Sequence, residues 1–490
     1  MKLTLEDTEM FLWMKKTTLI KFTPLVLILL NLILKFSFIT SNSIAGDEPF
    51  SIYHAQMSLS SILDLMKSEN NPPLHFILLH FWIKLFGISA LSVRFLSVIF
   101  SVLCAYVMYL IGLKFFSYRV GVVAGLLFTF SNLNLLLAHE ARVYELFALL
   151  SALSMYYFLS VKEHKNRNIF YAKLLITNIL LVYSHYFGFF IIFIQSISVL
   201  LFKDIRKPLL KSYLIYLLLF VCLYIPNMLI LLNRFSVSSH GTWLGNPGGI
   251  TGIYEMLWSF SNQPVTTVIC ITILAVALVK MLFTKQKTNN ATNKMIILLW
   301  FSFPFFFMFF ISYWMPIFLD RYLVFVSLGY YLTIALSSCI ILQNKFQDIF
   351  LGIVIVLFLA TFYPDKDNKR HVKETVAKVQ ELKGENASII ICPSFFMLNY
   401  AYYYDKSIFS EIDNGNSYAK ITQRLNSESI YPINSADLIP NTKNKIVYLD
   451  AAADFSFPDN NLYNTLNQKY KLKNTFKFYE IFNVYEFEKQ

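Results

Sequence analysis

The chain is dominated by long apolar segments that follow one another at short intervals. A helix needs roughly 20 apolar residues to cross the hydrocarbon core of a bilayer. We predict eleven membrane spans, at residues 18–40, 91–113, 119–138, 143–161, 169–184, 186–202, 212–232, 265–284, 295–314, 322–342 and 346–363. With 490 residues, 56% hydrophobic and 15% charged, most of this chain cannot be a water-soluble globule. The sequence therefore predicts an α-helical polytopic membrane protein.

One apolar segment, residues 73–87, is too short for a span. It opens with two prolines and contains His75, His80 and Lys84. We interpret it as a juxtamembrane or re-entrant helix at the membrane interface. Counting it as a span would reverse the side on which every later loop lies.

The charged residues test this topology. With the N-terminus cytoplasmic, thirteen lysines and arginines fall in inner loops and six in outer segments, as the positive-inside rule requires. The net charge of +12 thus reflects orientation, and no nucleic-acid partner is expected. The first apolar run is longer than a signal-peptide core, so we expect it to remain as a span.

The chain changes character after Tyr363, where polar residues become common and apolar runs become short. We predict two domains: a transmembrane module at 1–363, whose outer loop 41–90 carries juxtamembrane helices, and a soluble extracytoplasmic α/β domain at 364–490. The patterns predict helices at 369–383 and near 460–469, and strands at 387–392, 445–449, 474–480 and 482–488. For this tail we expect an acceptor-binding or structural role without a catalytic residue.

An acidic pair, Asp47-Glu48, follows the first span through Gly46. A carboxylate at the membrane edge is costly, which makes the pair a functional candidate. It could simply cap the helix that continues through Pro49. The functional alternative is a general base, or a ligand for a divalent cation, that acts on a hydroxyl at the membrane surface.

A second cluster, His139-Glu140-Ala141-Arg142-Val143-Tyr144, begins a predicted span. Glu140 and Tyr144 are four residues apart, so on a helix they would share one face. Glu140 alone could be explained by the positive end of a helix dipole, but Arg142 is disfavoured there. The planar guanidinium of Arg142 is better explained as a phosphate ligand.

Further candidates lie at outer span ends. His185 could be an aromatic-interface anchor or a functional residue, and Asp320 could pair with Arg321 or leave it for a ligand. His75 and His80 lack further metal-ligand spacing, so no metal site is expected from them. Together these residues describe an outward cavity, and a lipid phosphate is the anion that the adjacent membrane supplies.

These motifs resemble the GT-C membrane glycosyltransferases of the bacterial family-39 type, relatives of protein O-mannosyltransferases and of the lipid A aminoarabinose transferase. The resemblance covers roughly residues 20–365. Its carriers are Gly46-Asp47-Glu48, Asn71-Pro72-Pro73-Leu74 with Leu85-Phe86-Gly87, Val93-Arg94-Phe95-Leu96-Ser97, Glu140-Ala141-Arg142-Val143-Tyr144 and Arg321-Tyr322. It implies a GT-C-like fold, polyprenyl-phosphate sugar donors, and Asp47 as the base that deprotonates the acceptor. In the family the second acid is often an Asp in a Leu-Asp-Pro turn, whereas Glu140 stands here.

We therefore expect an inverting glycosyltransferase in the cytoplasmic (inner) membrane, acting on an envelope glycan, lipid or protein. No cofactor is expected, although a divalent cation is possible. The expected catalytic residues are Asp47, Glu48 and Glu140, and the expected substrate-binding residues are His75, Arg142, Tyr144, His185, Asp320 and Arg321. The alternatives are a transporter or lipid-linked oligosaccharide flippase, a membrane-anchored binding protein that acts through its tail, and an O-antigen ligase or polymerase.

Overall fold

The computed structural model describes residues 5–163, 167–239, 245–283, 290–342, 345–364, 370–384, 386–413, 418–440, 444–479 and 482–489. The chain divides into two compact units. The helical unit comprises the chain up to Ser37, Met66–His75 and Arg94–Pro364. The sheet unit comprises Phe38–Leu65, Phe76–Val93 and the tail after Pro364. Most of the predicted outer loop 41–90 is thus grouped with the tail.

In the described part of the chain up to Pro364 the regular elements are all helices: α1 Leu5–Phe36, α2 Glu48–Ala55, α3 Leu59–Leu65, α4 Leu74–Phe86, α5 Ala90–Phe115, α6 Tyr118–Thr129, α7 Asn132–Ala138, α8 Tyr144–Glu163, α9 Arg167–Ser184, α10 Gly188–Leu201, α11 Lys203–Ser239, α12 Ile250–Ser261, α13 Pro264–Phe283, α14 Ala291–Ile311, α15 Val324–Ile341 and α16 Lys345–Ala360. Each of the eleven predicted spans coincides with one of these helices or, at 119–138, with a pair. Among the described residues six helices are long and apolar enough to cross a membrane, or seven with the bent pair α6 and α7. The chain is a multi-pass membrane protein, and the count of eleven spans stays a prediction.

The predicted span at 119–138 is not one continuous helix. It bends by 59° between α6 and α7, because Ser131 caps α7 by accepting a hydrogen bond from the Asn134 N–H. The side chain of Asn262 completes the break: it donates to the Phe130 carbonyl at 2.7 Å and accepts from the Asn132 N–H at 2.8 Å. These bonds satisfy backbone groups that the break would leave unpaired in an apolar surrounding.

Helix packing in the helical unit uses glycine. A Cβ on Gly112 of α5 would lie 2.3 Å from the Cα of Gly121 on α6. A Cβ on Gly329 of α15 would lie 2.8 Å from the Phe301 nitrogen on α14. Small residues at such contacts let helix backbones approach closely, which is how membrane helices gain packing energy.

A buried polar network joins four helices, α8 to α11. Asn178 donates to the Gln195 side chain at 2.9 Å and accepts from Ser154, and Gln195 in turn donates to Ser154 at 2.7 Å. The Tyr216 hydroxyl accepts a further bond from Asn178. Satisfied side-chain hydrogen bonds of this kind hold membrane helices together.

The segment predicted as a short interfacial helix is α4. Its 13 residues span about 20 Å at 1.5 Å per residue, less than the hydrocarbon core of a bilayer. The His80 ring shares a hydrogen bond of 2.8 Å with the Ala55 carbonyl. The helix is confirmed, and its place at the interface stays a prediction.

The tail forms a small α/β domain, as predicted. Its elements are α17 Val372–Lys383, β1 Ala387–Cys392, α18 Met397–Tyr404, α19 Lys406–Phe409, α20 Ala419–Ser427, β2 Ile430–Pro432, β3 Lys445–Ala451, α21 Ala453–Ser456, α22 Leu462–Lys469, β4 Tyr470–Tyr479 and β5 Phe482–Lys489, with 3₁₀ turns at Ser394–Phe396 and Ala436–Leu438. The predicted ends at 369 and 480 lie outside the described residues.

The five strands form one mixed sheet in the order β2-β1-β3-β5-β4. β1 runs parallel to β2 and β3, while β5 is antiparallel to both β3 and β4. A buried apolar cluster lies between the sheet and α22. It includes Ile390, Tyr448 and Phe487 from the strands and Leu462 and Leu466 from the helix. The sheet therefore carries an apolar core of its own.

Candidate functional site

Two guanidinium groups in the helical unit lie on one buried tyrosine. Tyr144 is the first residue of α8 and is buried. The Cζ atoms of Arg142 and Arg321 each lie 5.9 Å from the centre of its ring. Asp320 accepts a hydrogen bond of 2.7 Å from the backbone N–H of Arg321. Cation–π contacts of this kind hold an arginine in place while its N–H donors remain charged.

Two histidines lie close enough to Arg142 to feel its charge. Burial, and then the charge of Arg142, lower the pKa of both His75 and His185 to about 3. Both imidazoles are therefore neutral at physiological pH. The Nδ1 of His185 accepts a hydrogen bond of 3.2 Å from the Phe187 N–H, so its Nε2 carries the proton and can donate.

The ring of His185 also stacks on Phe147, with 4.7 Å between the ring centres and 17° between the planes. Its ring centre is 5.8 Å from that of Tyr322. The two interpretations offered for His185 are thus compatible: aromatic rings fix its position, and Arg142 is its charged neighbour.

Glu140 lies in the bend that joins α7 to α8, where its backbone carbonyl accepts a hydrogen bond of 2.7 Å from the Ser97 hydroxyl. The expectation that Glu140 and Tyr144 share a helix face is wrong, because α8 begins only at Tyr144. His139 ends α7, and its ring is held by a hydrogen bond of 2.7 Å to the Lys35 carbonyl. Glu140 still interacts electrostatically with Tyr144.

The helical unit thus gathers most of its predicted site residues around one ring. Each of these residues interacts with Tyr144 or with Arg142: His75, Glu140, His185 and Arg321. Tyr322 joins them through its ring contact with Arg321. Two permanent positive charges beside neutral imidazoles are an arrangement that can hold an anion such as a phosphate.

In the sheet unit, the two members of the acidic pair have different surroundings. Glu48 is buried, and its Oε2 accepts a hydrogen bond of 3.4 Å from the Ala45 N–H. Asp47 is exposed at the N-cap position of α2, and its side chain makes no capping hydrogen bond to the described backbone. Glu48 therefore stabilises the turn through this hydrogen bond, while the Asp47 carboxylate is the one that a substrate can reach.

Sequence reasoning missed the residues that hold this turn. The Tyr403 hydroxyl accepts from the Ile44 N–H, and the Asn399 side chain donates to the Gly46 carbonyl at 3.4 Å. Arg370 lies against Gly46. All three belong to the tail, more than 300 residues away in sequence, and no local pattern marks them.

Within the described ranges, no group of three or more His, Cys, Asp or Glu side chains is placed to hold a metal ion.

Comparisons with known proteins agree with this architecture. The family model described as dolichyl-phosphate-mannose-protein mannosyltransferase matches residues 70–230. A crystal structure of ArnT from Cupriavidus metallidurans bound to undecaprenyl phosphate superposes with a TM-score of 0.58 at 11% identity, covering 94% of this chain and 97% of that one. The archaeal oligosaccharyltransferase AglB from Archaeoglobus fulgidus, in complex with an inhibitory peptide and a dolichol-phosphate, gives a TM-score of 0.51 at 13% identity, covering 95% and 74%. A comparison with curated protein sequences finds no match.

This likeness shows the fold of the chain: it is a polytopic membrane protein with the fold of ArnT and AglB. The resemblance predicted from the acidic pair and the span-end motifs is confirmed at the level of the fold.

Proposed function

We propose that this protein is a membrane glycosyltransferase that moves a sugar from a polyprenyl-phosphate donor to an acceptor. The observation that carries the proposal is the pair of guanidinium groups on Tyr144, with neutral His75 and His185 beside Arg142. The matched family model and the lipid phosphate bound in the ArnT structure support it.

In the proposed reaction, Asp47 takes the proton of an acceptor hydroxyl, and the resulting oxygen attacks the anomeric carbon of the donor sugar. The bond from that carbon to the phosphate oxygen breaks, and the polyprenyl phosphate leaves with the electron pair. A single displacement of this kind inverts the anomeric configuration. Glu140 is assigned to orienting the acceptor or donor, and the buried Glu48, expected from the sequence to do the same, is assigned instead to holding the turn before Asp47.

Arg142 and Arg321 stabilise the negative charge that builds on the leaving phosphate. Preorganised charges of this kind usually supply the largest part of catalysis. Because Arg142 and Arg321 already supply positive charge, we assign no metal to the reaction. Transfer should then be unaffected by EDTA, whereas loss of activity on chelation and its return with Mg²⁺ or Mn²⁺ would contradict this assignment.

We place the reaction at the outer face of the cytoplasmic membrane, on the evidence of the loop charges. Single cysteines in a cysteine-free background test the orientation. A membrane-impermeant thiol reagent should label Ser427→Cys, at an exposed site in the tail, in intact cells. It should label Lys207→Cys, at the exposed start of α11, only after lysis. The reverse pattern would overturn the orientation.

The experiment that tests the function is mass spectrometry of lipid-linked sugars and envelope glycans in a deletion strain. We expect one polyprenyl-phosphate sugar to accumulate and one glycan residue to disappear, which would name donor and product together. If both pools are unchanged and an unrelated solute accumulates, the chain is a transporter.

A further inference from the structure

The backbone directly before Asp47 is in contact with an arginine of the tail. A Cβ built on Gly46 would lie 2.3 Å from Nη1 of Arg370, 3.2 Å from its Cζ and 3.7 Å from its Nη2. Gly46 has φ +59°, a conformation that residues with a Cβ rarely adopt. Glycine at this position therefore provides both the turn and the space that the guanidinium occupies.

The same turn is held by the tail at further points. Ser43 accepts a hydrogen bond of 3.3 Å from the Lys373 N–H, near the start of α17. The Ile44 N–H donates to the hydroxyl of Tyr403, and the Gly46 carbonyl accepts from Asn399. Residues 43–46 are thus fixed by groups from α17 and α18, and Arg370 is the charged member of this set.

Gly46 directly precedes Asp47, so the guanidinium of Arg370 lies against the residue next to the proposed base. A guanidinium group stays protonated at every physiological pH, and a nearby positive charge favours the ionised form of a carboxyl group. A general base has to be ionised and correctly oriented before it can accept a proton. Since the Asp47 side chain does not cap α2, the helix itself does not fix its orientation.

We propose that Arg370 is a positioning residue for the base: it holds the Gly46–Asp47 turn and supplies the positive charge beside the Asp47 carboxylate. This inference rests on the proposed function, in which Asp47 deprotonates the acceptor. It makes the tail part of the machinery that activates the acceptor, through a residue that need not touch the substrate.

The proposal predicts a specific kinetic pattern for Arg370→Ala. Because the donor phosphate is assigned to Arg142 and Arg321, losing Arg370 should lower the maximal rate at least tenfold and change the half-saturating donor concentration less than twofold. Millimolar guanidinium ion should raise the rate of Arg370→Ala several-fold, since it can enter the space left by the side chain. Arg370→Lys should retain an intermediate rate.

Gly46→Ala provides an independent route to the same contact. The new Cβ would displace the Arg370 guanidinium, so this variant should also lose maximal rate. The double variant Gly46→Ala, Arg370→Ala should be no slower than the slower single variant, because both changes remove one interaction. Lys473→Gln is the matched control: it removes an exposed tail cation that pairs with Glu488 at 2.7 Å and should leave the rate unchanged.

The assay uses the full-length protein in nanodiscs, with the envelope fraction of the deletion strain as the source of acceptor and of accumulated lipid-linked donor. The inference is overturned if Arg370→Ala stays within twofold of wild type, if only the half-saturating donor concentration rises, or if guanidinium ion restores nothing. Asp47→Asn in the same assay separates the two claims. If Asp47→Asn is fully active, Asp47 is not the base and the proposed function fails with it. If Asp47→Asn is inactive while Arg370→Ala is fully active, only the role assigned to Arg370 is wrong.

Discussion

A buried lysine and a buried glutamate lie inside the helical unit, next to the candidate site. Lys35, near the end of α1, and Glu145, in the first turn of α8, are both fully buried and interact electrostatically. The Lys35 ammonium donates to the Ser131 carbonyl at 3.4 Å. Ser101 lies near the Glu145 carboxylate, without a well-formed hydrogen bond among the described residues. Glu145 directly follows Tyr144, the tyrosine of the candidate site.

We infer that Lys35 and Glu145 are ionised together, and removing one partner of such a pair would leave a buried, uncompensated charge, which costs about 3–5 kcal/mol. We therefore expect Lys35→Met and Glu145→Met each to lower the free energy of unfolding by about that amount. The double variant should unfold within roughly 2 kcal/mol of wild type, because two apolar side chains of similar size replace the pair. This implies a coupling energy of about 4 kcal/mol or more, well above the threshold of additivity.

Equilibrium unfolding in mixed micelles of increasing denaturing-detergent fraction measures these differences. If the two single substitutions are additive in the double variant, or if either costs less than about 1 kcal/mol, the residues do not form a charged pair and this reasoning is refuted.

Three further predictions follow from the described contacts. Gly121→Leu should abolish the folded protein, because a Cβ there would lie 2.5 Å from a backbone oxygen of α5; Gly352→Leu, with nothing within 4 Å, should be tolerated. Burial lowers the pKa of His54 from 6.5 to about 4. As the pH drops, the unfolded state therefore binds a proton before the folded state does. The free energy of unfolding should fall by on the order of 3 kcal/mol between these two pKa values. His54→Gln should flatten that part of the pH–stability curve, and an unchanged slope would contradict it. Arg142→Lys and Arg321→Lys should each slow transfer at least tenfold, because an ammonium group cannot reproduce bidentate phosphate binding; unchanged rates would exclude them as phosphate ligands.

The long apolar helices and four of the five strands could be predicted because their signals are local. Apolar length marks each predicted span, and the β-branched run at 387–392 marks β1. The break between α6 and α7 could not be read in this way, because it is completed by Asn262, about 130 residues further along the chain. The strand β2 has only three residues, too few for a periodic pattern.

The candidate site was predictable to the extent that charges are rare at span ends. Arg142 and Arg321 stand out there, and the structure brings them to one ring. The contact of Arg370 with the turn before Asp47 was not predictable, since Arg370 is an ordinary cation among many in a polar segment. Only the fold shows that it lies against Gly46, because contacts between residues so far apart leave no spacing to recognise.

The central claim is that Asp47 activates an acceptor for attack on a polyprenyl-phosphate sugar. The most direct test is to count the polyprenyl phosphate released and the sugar transferred by purified wild type and Asp47→Asn, supplied with the envelope fraction of the deletion strain. General bases contribute about 10²–10⁴-fold, so we predict that Asp47→Asn loses both products together by at least about 100-fold while still binding the donor. Equal release and transfer by Asp47→Asn and wild type would contradict the account.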